Sequence, residues 1–273
     1  MKDKLTSLDE AIRDIPNGSR IALGGNTLHR APSAAVHELV RQRKRDLEIV
    51  KTAGAYDIDL LAGTGSASSV SVGFVGFENL FGMAPSYRRA VERGDLKVNE
   101  HACYSVIAGL RATIQGVPFM PIAGMNGSDL LAARDFRTIA DPYTGAEVVA
   151  IPALIPDFAI LHVQEADAFG NARILGTHFE DVLMAKAAKR VIITSERIVD
   201  GDEFEKSPDS VSIPSFMVDN VVESPRGAWP CSCAGVYDVD LNYLTEYVTA
   251  SNTEATFHRF VEDHILSRTS VAA

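Results

Sequence analysis

Apolar positions along the chain recur in two alternating periods. Leu8, Ala11, Ile12 and Ile15 lie three or four apart and predict a helix, with Ser7-Leu8-Asp9-Glu10 as a capping box at its start. Ile21-Ala22-Leu23 is an unbroken apolar run, as expected of a strand buried on both faces. Ala35, Val36, Leu39 and Val40 return to helical spacing between Pro32 and Arg43, and Leu47 to Ala53 reads as a second strand closed by Gly54. A helix about Asp59-Leu60-Leu61, a turn at Gly63-Thr64-Gly65 and a strand from Ser69 to Phe77 follow, with Gly73 inside that strand. Next come a helix over Pro85–Arg93, a strand over Leu96–Val98, a mostly apolar helix over Ala102–Gln115 and a strand over Phe119–Ile122. Leu131 to Gly145 reads as irregular and polar. Val148–Ala153 and Phe158–Gln164 read as buried strands, Phe179–Arg190 as a helix, Val191–Ser195 and Met217–Val222 as strands, and Leu241–Leu266 as two helices parted at Ser251-Asn252. Strands alternating with helices predict an α/β fold: an open, mostly parallel sheet with helices on both faces. No repeat, low-complexity segment or linker divides it, so residues 1–273 read as one domain.

The densest local signal is Asn17 to Pro32. Asn17-Gly18 makes a turn, the strand Ile21-Ala22-Leu23 follows, Gly24 and Gly25 sit at its carboxyl end, and Pro32 opens the next helix. In an open α/β sheet ligands bind at the carboxyl ends of strands. Backbone without side chains there can approach a ligand closely and aim N–H groups at an oxygen anion. A Gly-Gly pair also serves as a plain strand-to-helix turn, and the residues alone leave both readings open.

Composition narrows the classes. Of 273 residues, 46% are hydrophobic and 23% charged, ordinary for a globular protein. The net charge of −10, without a basic run, argues against nucleic-acid binding. The N-terminal ten residues lack the apolar stretch of a signal peptide, and no apolar run is long enough to span a bilayer. Three cysteines, Cys103, Cys231 and Cys233, are too few for a disulfide framework or a four-ligand zinc site, so a reduced, cytoplasmic protein with no membrane partner and no metal is expected.

Three stretches together resemble the alpha subunit or half of family I coenzyme A transferases. In the first, Asn17, Gly18, Ile21, Ala22, Leu23, Gly24, Gly25 and Pro32 fall in the family's pattern, while Asn26 replaces a Phe and Arg30 a later Gly. The Arg resembles the glutaconate CoA-transferase branch. The second is Gly116 to Ser128, a Gly-hydrophobic-Pro strand and glycine loop; the third is Asp181 to Glu196, with Gln164–Gly176 also of the glutaconate type. The resemblance covers roughly residues 7 to 225 and implies the CoA-transferase (NagB/RpiA-like) fold. It implies an acyl-CoA and a carboxylic acid as substrates, coenzyme A thioester as substrate rather than as a bound cofactor, and, as partner, a beta subunit. The family's attacking glutamate belongs to the beta half, in Ser-Glu-Asn-Gly, which this chain lacks. The loops Gly24-Gly25-Asn26 and Asn126-Gly127-Ser128 would then line a shared cleft and donate hydrogen bonds to substrate oxygens. Arg30 could fork onto an acyl carboxylate or a CoA phosphate.

Ring-opening CoA hydrolases in the same superfamily use water and an alpha-chain glutamate in the segment before the buried helix, here Asn99-Glu100-His101-Ala102-Cys103. Glu100 is the carboxylate available there, and it could equally cap or pair at the helix start. Cys103, His101, His162 and Ser195-Glu196-Arg197 also carry potential chemistry, each against the plain alternative of a packed or hydrogen-bonded structural group. Three functions stay open at this point. The chain can belong to a CoA-transferase, to a CoA-ester hydrolase or C–C-cleaving enzyme of the same fold, or it can be a ligand-binding module without catalysis.

Overall fold

The computed structural model describes residues 2–267. Its strands are β1 (Arg20–Leu23), β2 (Leu47–Gly54), β3 (Ala67–Val75), β4 (Lys97–Glu100), β5 (Phe119–Ile122), β6 (Arg137–Ala140), β7 (Glu147–Pro152), β8 (Phe158–Ala166), β9 (Ala172–Arg173), β10 (Arg190–Ile198) and β11 (Asn220–Glu223). The helices are α1 (Leu8–Arg13), α2 (Ser33–Arg41), α3 (Tyr56–Gly63), α4 (Glu78–Phe81), α5 (Pro85–Arg93), α6 (Cys103–Ile114), α7 (Leu130–Ala133), α8 (Asp181–Ala187), α9 (Gly201–Lys206), α10 (Leu241–Ala250) and α11 (Glu254–Val261). The capping box at Ser7 and Glu10 forms, and Pro85 opens α5, where a missing N–H costs nothing.

The main sheet runs β11-β10-β8-β1-β2-β3-β4, every neighbouring pair parallel, with β9 added antiparallel to β8. The chain leaves β1 toward β2 on one side and leaves β8 toward β10 on the other. The sheet therefore changes winding direction between β1 and β8, where an open α/β sheet leaves a crevice at its carboxyl edge. Gly24 lies at that point.

Strand alternation sorts the core. Ile21, Leu23, Ile49 and Val72 pack on one face under α2, α3, α10 and α11. Ala22, Val50, Leu161 and Ile193 pack on the other, with Val106 and Leu110 of α6 and Met184 of α8. All nine residues of β8 are buried, which fits a central strand between two covered faces.

The sequence places Phe119–Ile122 and Val148–Ala153 among the strands without setting them apart. They belong instead to a second, antiparallel sheet in the order β5-β7-β6, which packs Ile122, Phe136, Val149 and Ile151 against Ala108 of α6. The stretch from Leu131 to Gly145 is also more ordered than its polar sequence suggests. It holds most of α7 and all of β6, whose four residues are exposed and carry no apolar alternation to read. Its turn is built on Asp141, which accepts from the Tyr143 N–H (3.0 Å) and the Thr144 hydroxyl (2.6 Å).

Two buried groups flank the sheet and titrate in opposite senses. Asp59 of α3 accepts from the Tyr87 N–H (2.7 Å) and the Tyr247 hydroxyl (2.8 Å), yet burial pushes its carboxyl up to about 6. His101 bonds Ser105 Oγ (2.9 Å), and burial with the Arg134 charge pushes it down to about 4. Folded Asp59 holds a proton better than the unfolded chain, so its stabilisation is full below pH 3.8 and lost as pH rises through about 6. Folded His101 holds one worse, so its stabilisation is full above pH 6.5 and lost as pH falls toward about 4. At about 1.4 kcal/mol per pKa unit each arm is worth on the order of 3 kcal/mol, and the two nearly cancel. Asp59→Asn should unmask the histidine arm, so that urea midpoints climb steadily from pH 4.5 to 6.5. A pH dependence unchanged from the parent protein would contradict this.

Candidate active site

The carboxyl edge of β1 is built around one peptide bond, Gly24–Gly25. The Gly24 N–H continues the parallel ladder to the Ile160 carbonyl (3.0 Å). Its carbonyl accepts from Lys51 Nζ (2.7 Å), and the Gly25 N–H at the other end donates to both carboxylate oxygens of Asp181 (3.3 and 3.2 Å). A cation thus holds the oxygen end and an anion the hydrogen end of the same peptide. Only glycine fits: a Cβ on Gly24 would lie 2.5 Å from Asp181 Oδ1, and one on Gly25, whose φ is +68°, would lie 2.4 Å from the backbone oxygens of His29 and Arg30.

Both clamping charges are paired out of water. Lys51, fully buried, meets Asp57 at 2.6 Å, and Asp57 also accepts the N–H groups of Ala55 (3.1 Å) and Ile58 (2.9 Å). Asp181, also fully buried, takes the Arg30 fork at 2.8 and 3.1 Å. The guanidinium further donates to the carbonyls of His162 (2.7 Å) and Thr177 (3.1 Å) and lies 5.8 Å from the Phe179 ring centre. Arg30 has a left-handed φ of 55°, and Thr27, Glu78, Phe179 and Arg226 have the same backbone sign nearby in the fold or sequence. Such backbone persists only where the surroundings enforce it, and it gathers at functional sites.

Several expectations need correction. Arg30 is 3% exposed and spends its fork on Asp181 and two carbonyls, so it is a strut of the loop rather than a clamp for a substrate carboxylate or phosphate. The amides of Gly24, Gly25 and Asn26 are likewise taken, by Ile160, Asp181 and His29, and the Thr27 N–H goes to Ala53. Of this loop, the half-buried Asn26 carboxamide keeps its polar atoms without a protein partner among the described residues. Asn126, Gly127 and Ser128 lie exposed on the antiparallel sheet. Asn126 donates to the Glu147 carbonyl (2.9 Å), Ser128 accepts from the Leu130 N–H (3.2 Å), and none of their bonds reaches residues 24–30.

Glu100 is turned the wrong way for this edge. It pairs in register with Val72, whose side chain packs on the face of α2 and α3, and its charge acts on Tyr87 of α5. The opposite face carries Gly73, where an added Cβ would lie 2.5 Å from the Cys103 nitrogen. Cys103 begins α6 there, exposed, with Sγ 3.5 Å from the Thr52 carbonyl oxygen. Burial and the neighbouring Glu180 carboxylate push its thiol up, away from the thiolate a nucleophile needs. Glu180, just before α8, accepts from the Thr52 hydroxyl (2.7 Å) on the same face. Thr27 of the glycine loop bonds Glu78.

His162, Glu196 and Cys233 place possible ligand atoms within 4.8 Å of one another. Glu196 already accepts from His162 Nε2 (2.8 Å), the Arg226 N–H (2.6 Å) and the Tyr237 hydroxyl, and His162 Nδ1 meets Thr194 Oγ1 (2.9 Å). Burial pushes the Cys233 thiol up to about 12. A filled carboxylate beside a protonated thiol is a hydrogen-bonded network that pins residues 226–237 to the sheet, not a ready cation site. His101 and His162 are both buried and bonded, as packed histidines are.

The model of the family described as Coenzyme A transferase matches residues 5–224. The chain is 32% identical over 282 residues to the A-type component of glutaconate CoA-transferase from Acidaminococcus fermentans, covering 97% of this chain and 88% of that protein. The crystal structure of glutaconate coenzyme A-transferase from that organism superposes with a TM-score of 0.94 over 97% of this chain and 90% of the other. The cholesterol ring-cleaving hydrolase IpdA subunit of Rhodococcus jostii is 32% identical, covering 97% and 92%. A protein of Archaeoglobus fulgidus is 36% identical over 267 residues, and this chain spans 60% of its length. Among the described residues no helix is long and apolar enough to cross a membrane.

Proposed function

The chain belongs to the coenzyme A transferase family, and on that premise we propose that it is the alpha-type subunit of a heteromeric enzyme that moves CoA between an acyl-CoA and a carboxylic acid. It works as one domain in the cytoplasm, with the thioester as substrate and no permanently bound cofactor. The observation that carries this reading is the Gly24–Gly25 peptide, held rigid between Lys51 and Asp181 at the carboxyl edge where the sheet changes direction.

A loop clamped in this way is a wall and a hydrogen-bonding post, not a source of attack. Its amides are internally paired, so the Asn26 carboxamide is the group that meets a substrate oxygen as charge develops on it. The saturated carboxylates Asp181 and Glu196 cannot serve as nucleophiles without breaking their networks. As the family resemblance implies, the attacking carboxylate belongs to a beta-type partner, and such a nucleophile splits one hard transfer into easier steps through a covalent acyl intermediate.

The test is co-expression with a beta-type polypeptide, purification of the complex and measurement of CoA exchange between acyl-CoA esters and short acids. Exchange by the complex alone is expected, with Asn26→Ala lowering kcat by about 100-fold, as for loss of one oxygen-holding donor. Thioester turnover at an enzymic rate by this chain without a companion would overturn the reading. A second reading, in which the chain serves a hydrolase or C–C-cleaving enzyme, is favoured by the likeness to the ring-cleaving hydrolase.

A further inference from the structure

The opposite, amino edge of the sheet carries a cleft of about 470 Å3 whose charge is unlike that of the chain as a whole. Its walls are the turn between α2 and β2, the turn between α3 and β3, and α11 with the residues that follow it. Arg43, Lys44 and Arg45 come from the first turn and His258 from α11. No carboxylate lines the cleft among the described residues, although the chain holds 36 Asp and Glu against 26 Lys and Arg. Val40 and Val261 add an apolar side. The glycine edge lies at the far end of the eight-residue β2, about 25 Å away at the rise of a strand, so this cleft is separate from it.

The backbone holds the basic turn and leaves its two guanidiniums unspent. The Lys44 N–H donates to the Leu39 carbonyl (3.0 Å), the Arg45 N–H to Asn17 Oδ1 (3.0 Å), and the Arg45 carbonyl accepts from the Gly18 N–H (3.1 Å). Arg43 and Asp46 both have left-handed backbone, with φ of 53° and 58°, which persists only where the surroundings enforce it. Lys44 spends its ammonium on the carbonyls of Arg13 (2.9 Å) and Ile15 (2.6 Å) at the end of α1. The side chains of Arg43 and Arg45 are exposed and make no hydrogen bond or ion pair among the described residues. On the wall from α3, Gly65 has a φ of +70° and an added Cβ there would meet nothing within 4 Å, so the approach to the arginines is open.

We propose that this cleft is a second binding site, which takes the phosphates of a nucleotide between Arg43 and Arg45. A guanidinium fork matches phosphate oxygens two at a time, and two forks suit a diphosphate better than a single carboxylate. The apolar side at Val40 and Val261 suits the nucleoside body. Small-molecule sites run from about 300 to 1,000 Å3, and the cleft falls within that span. An acidic chain repels such an anion in general, and a cation-lined cleft free of carboxylates reverses the local field. The ligand chemistry is a nucleoside diphosphate, either free or as the nucleotide half of a CoA molecule other than the one reacting. The site goes beyond the CoA-transfer reading and needs neither a partner subunit nor turnover.

The experiment is calorimetric titration of the full-length chain with ADP, CoA and adenosine in turn. ADP should bind saturably, more weakly as salt rises, and should raise the Tm of the chain. Adenosine, which lacks the phosphates, should bind at least about 10-fold more weakly. Arg43→Gln and Arg45→Gln should each weaken ADP about 10-fold and together about 100-fold, the scale of lost hydrogen bonds to a charged group. Both side chains are exposed, so the unliganded Tm should hold, and Arg137→Gln, on exposed β6, should leave binding unchanged. Arginine-dependent binding of ADP assigns a free nucleotide; arginine-dependent binding of CoA without ADP assigns the nucleotide half of the coenzyme. Three results overturn the proposal: no saturable binding of ADP or CoA, unchanged affinity in the double variant, or adenosine binding as tightly as ADP. Failure of the assembled complex to exchange CoA, with arginine-dependent binding intact, would end the transfer reading and leave this site standing.

Discussion

Replacing Asp181 by alanine should cost about 3–5 kcal/mol of folding stability, the penalty for removing one partner of a buried ion pair. Arg30 is 3% exposed and Asp181 fully buried, so the orphaned guanidinium has no route to water without moving the loop. The same change strips the Gly25 N–H of its acceptor. Chemical denaturation reads the effect directly, and a loss under about 1 kcal/mol would mean that water reaches Arg30 in the folded state. The double variant Arg30→Met with Asp181→Leu separates charge from shape. Swapping a buried pair for apolar side chains of similar volume is often neutral, so much of the stability should return. Turnover by the complex should not, because the Gly25 amide has still lost the carboxylate that fixes it.

The loop's position is legible in the sequence because backbone chemistry announces itself. A glycine pair after an apolar strand, with a proline opening the next helix, marks a carboxyl edge, and both glycines prove sterically required there. What fixes the loop is less legible, because the partners are far apart in the chain: Asp181 lies 156 residues beyond Gly25. One signal is present. Lys51 follows the apolar pair Ile49-Val50 inside β2, and a lysine inside a buried strand requires an acid. Arg30 misleads because a guanidinium near a phosphate-type loop suggests a ligand, whereas the buried Asp181 claims it first. Glu100 misleads for a different reason. Nearness in sequence to the Cys103 helix says nothing about face, and one step of strand alternation sends its side chain to the α5 side. The antiparallel sheet stays hidden because exposed β6 carries no apolar alternation.

Lys51→Met should be as damaging as the loss of Asp181, about 3–5 kcal/mol, since it leaves Asp57 buried with two N–H donors and no cation. Its more telling property is coupling. Lys51 and Asp181 lie on opposite faces of the sheet, and neither contacts the other's partner among the hydrogen bonds at this edge. What joins them is the Gly24–Gly25 peptide, whose oxygen one holds and whose N–H the other holds. Once either end is released the peptide can tilt, and the remaining clamp then holds a group that no longer lies in line with it. A double-mutant cycle of Lys51→Met and Asp181→Asn should therefore be non-additive by on the order of 1–2 kcal/mol, the combined loss being smaller than the sum. Additive costs would show that each pair stabilises its own face independently, and that the rigidity of the glycine edge comes from its left-handed backbone rather than from charges on both ends of one peptide bond.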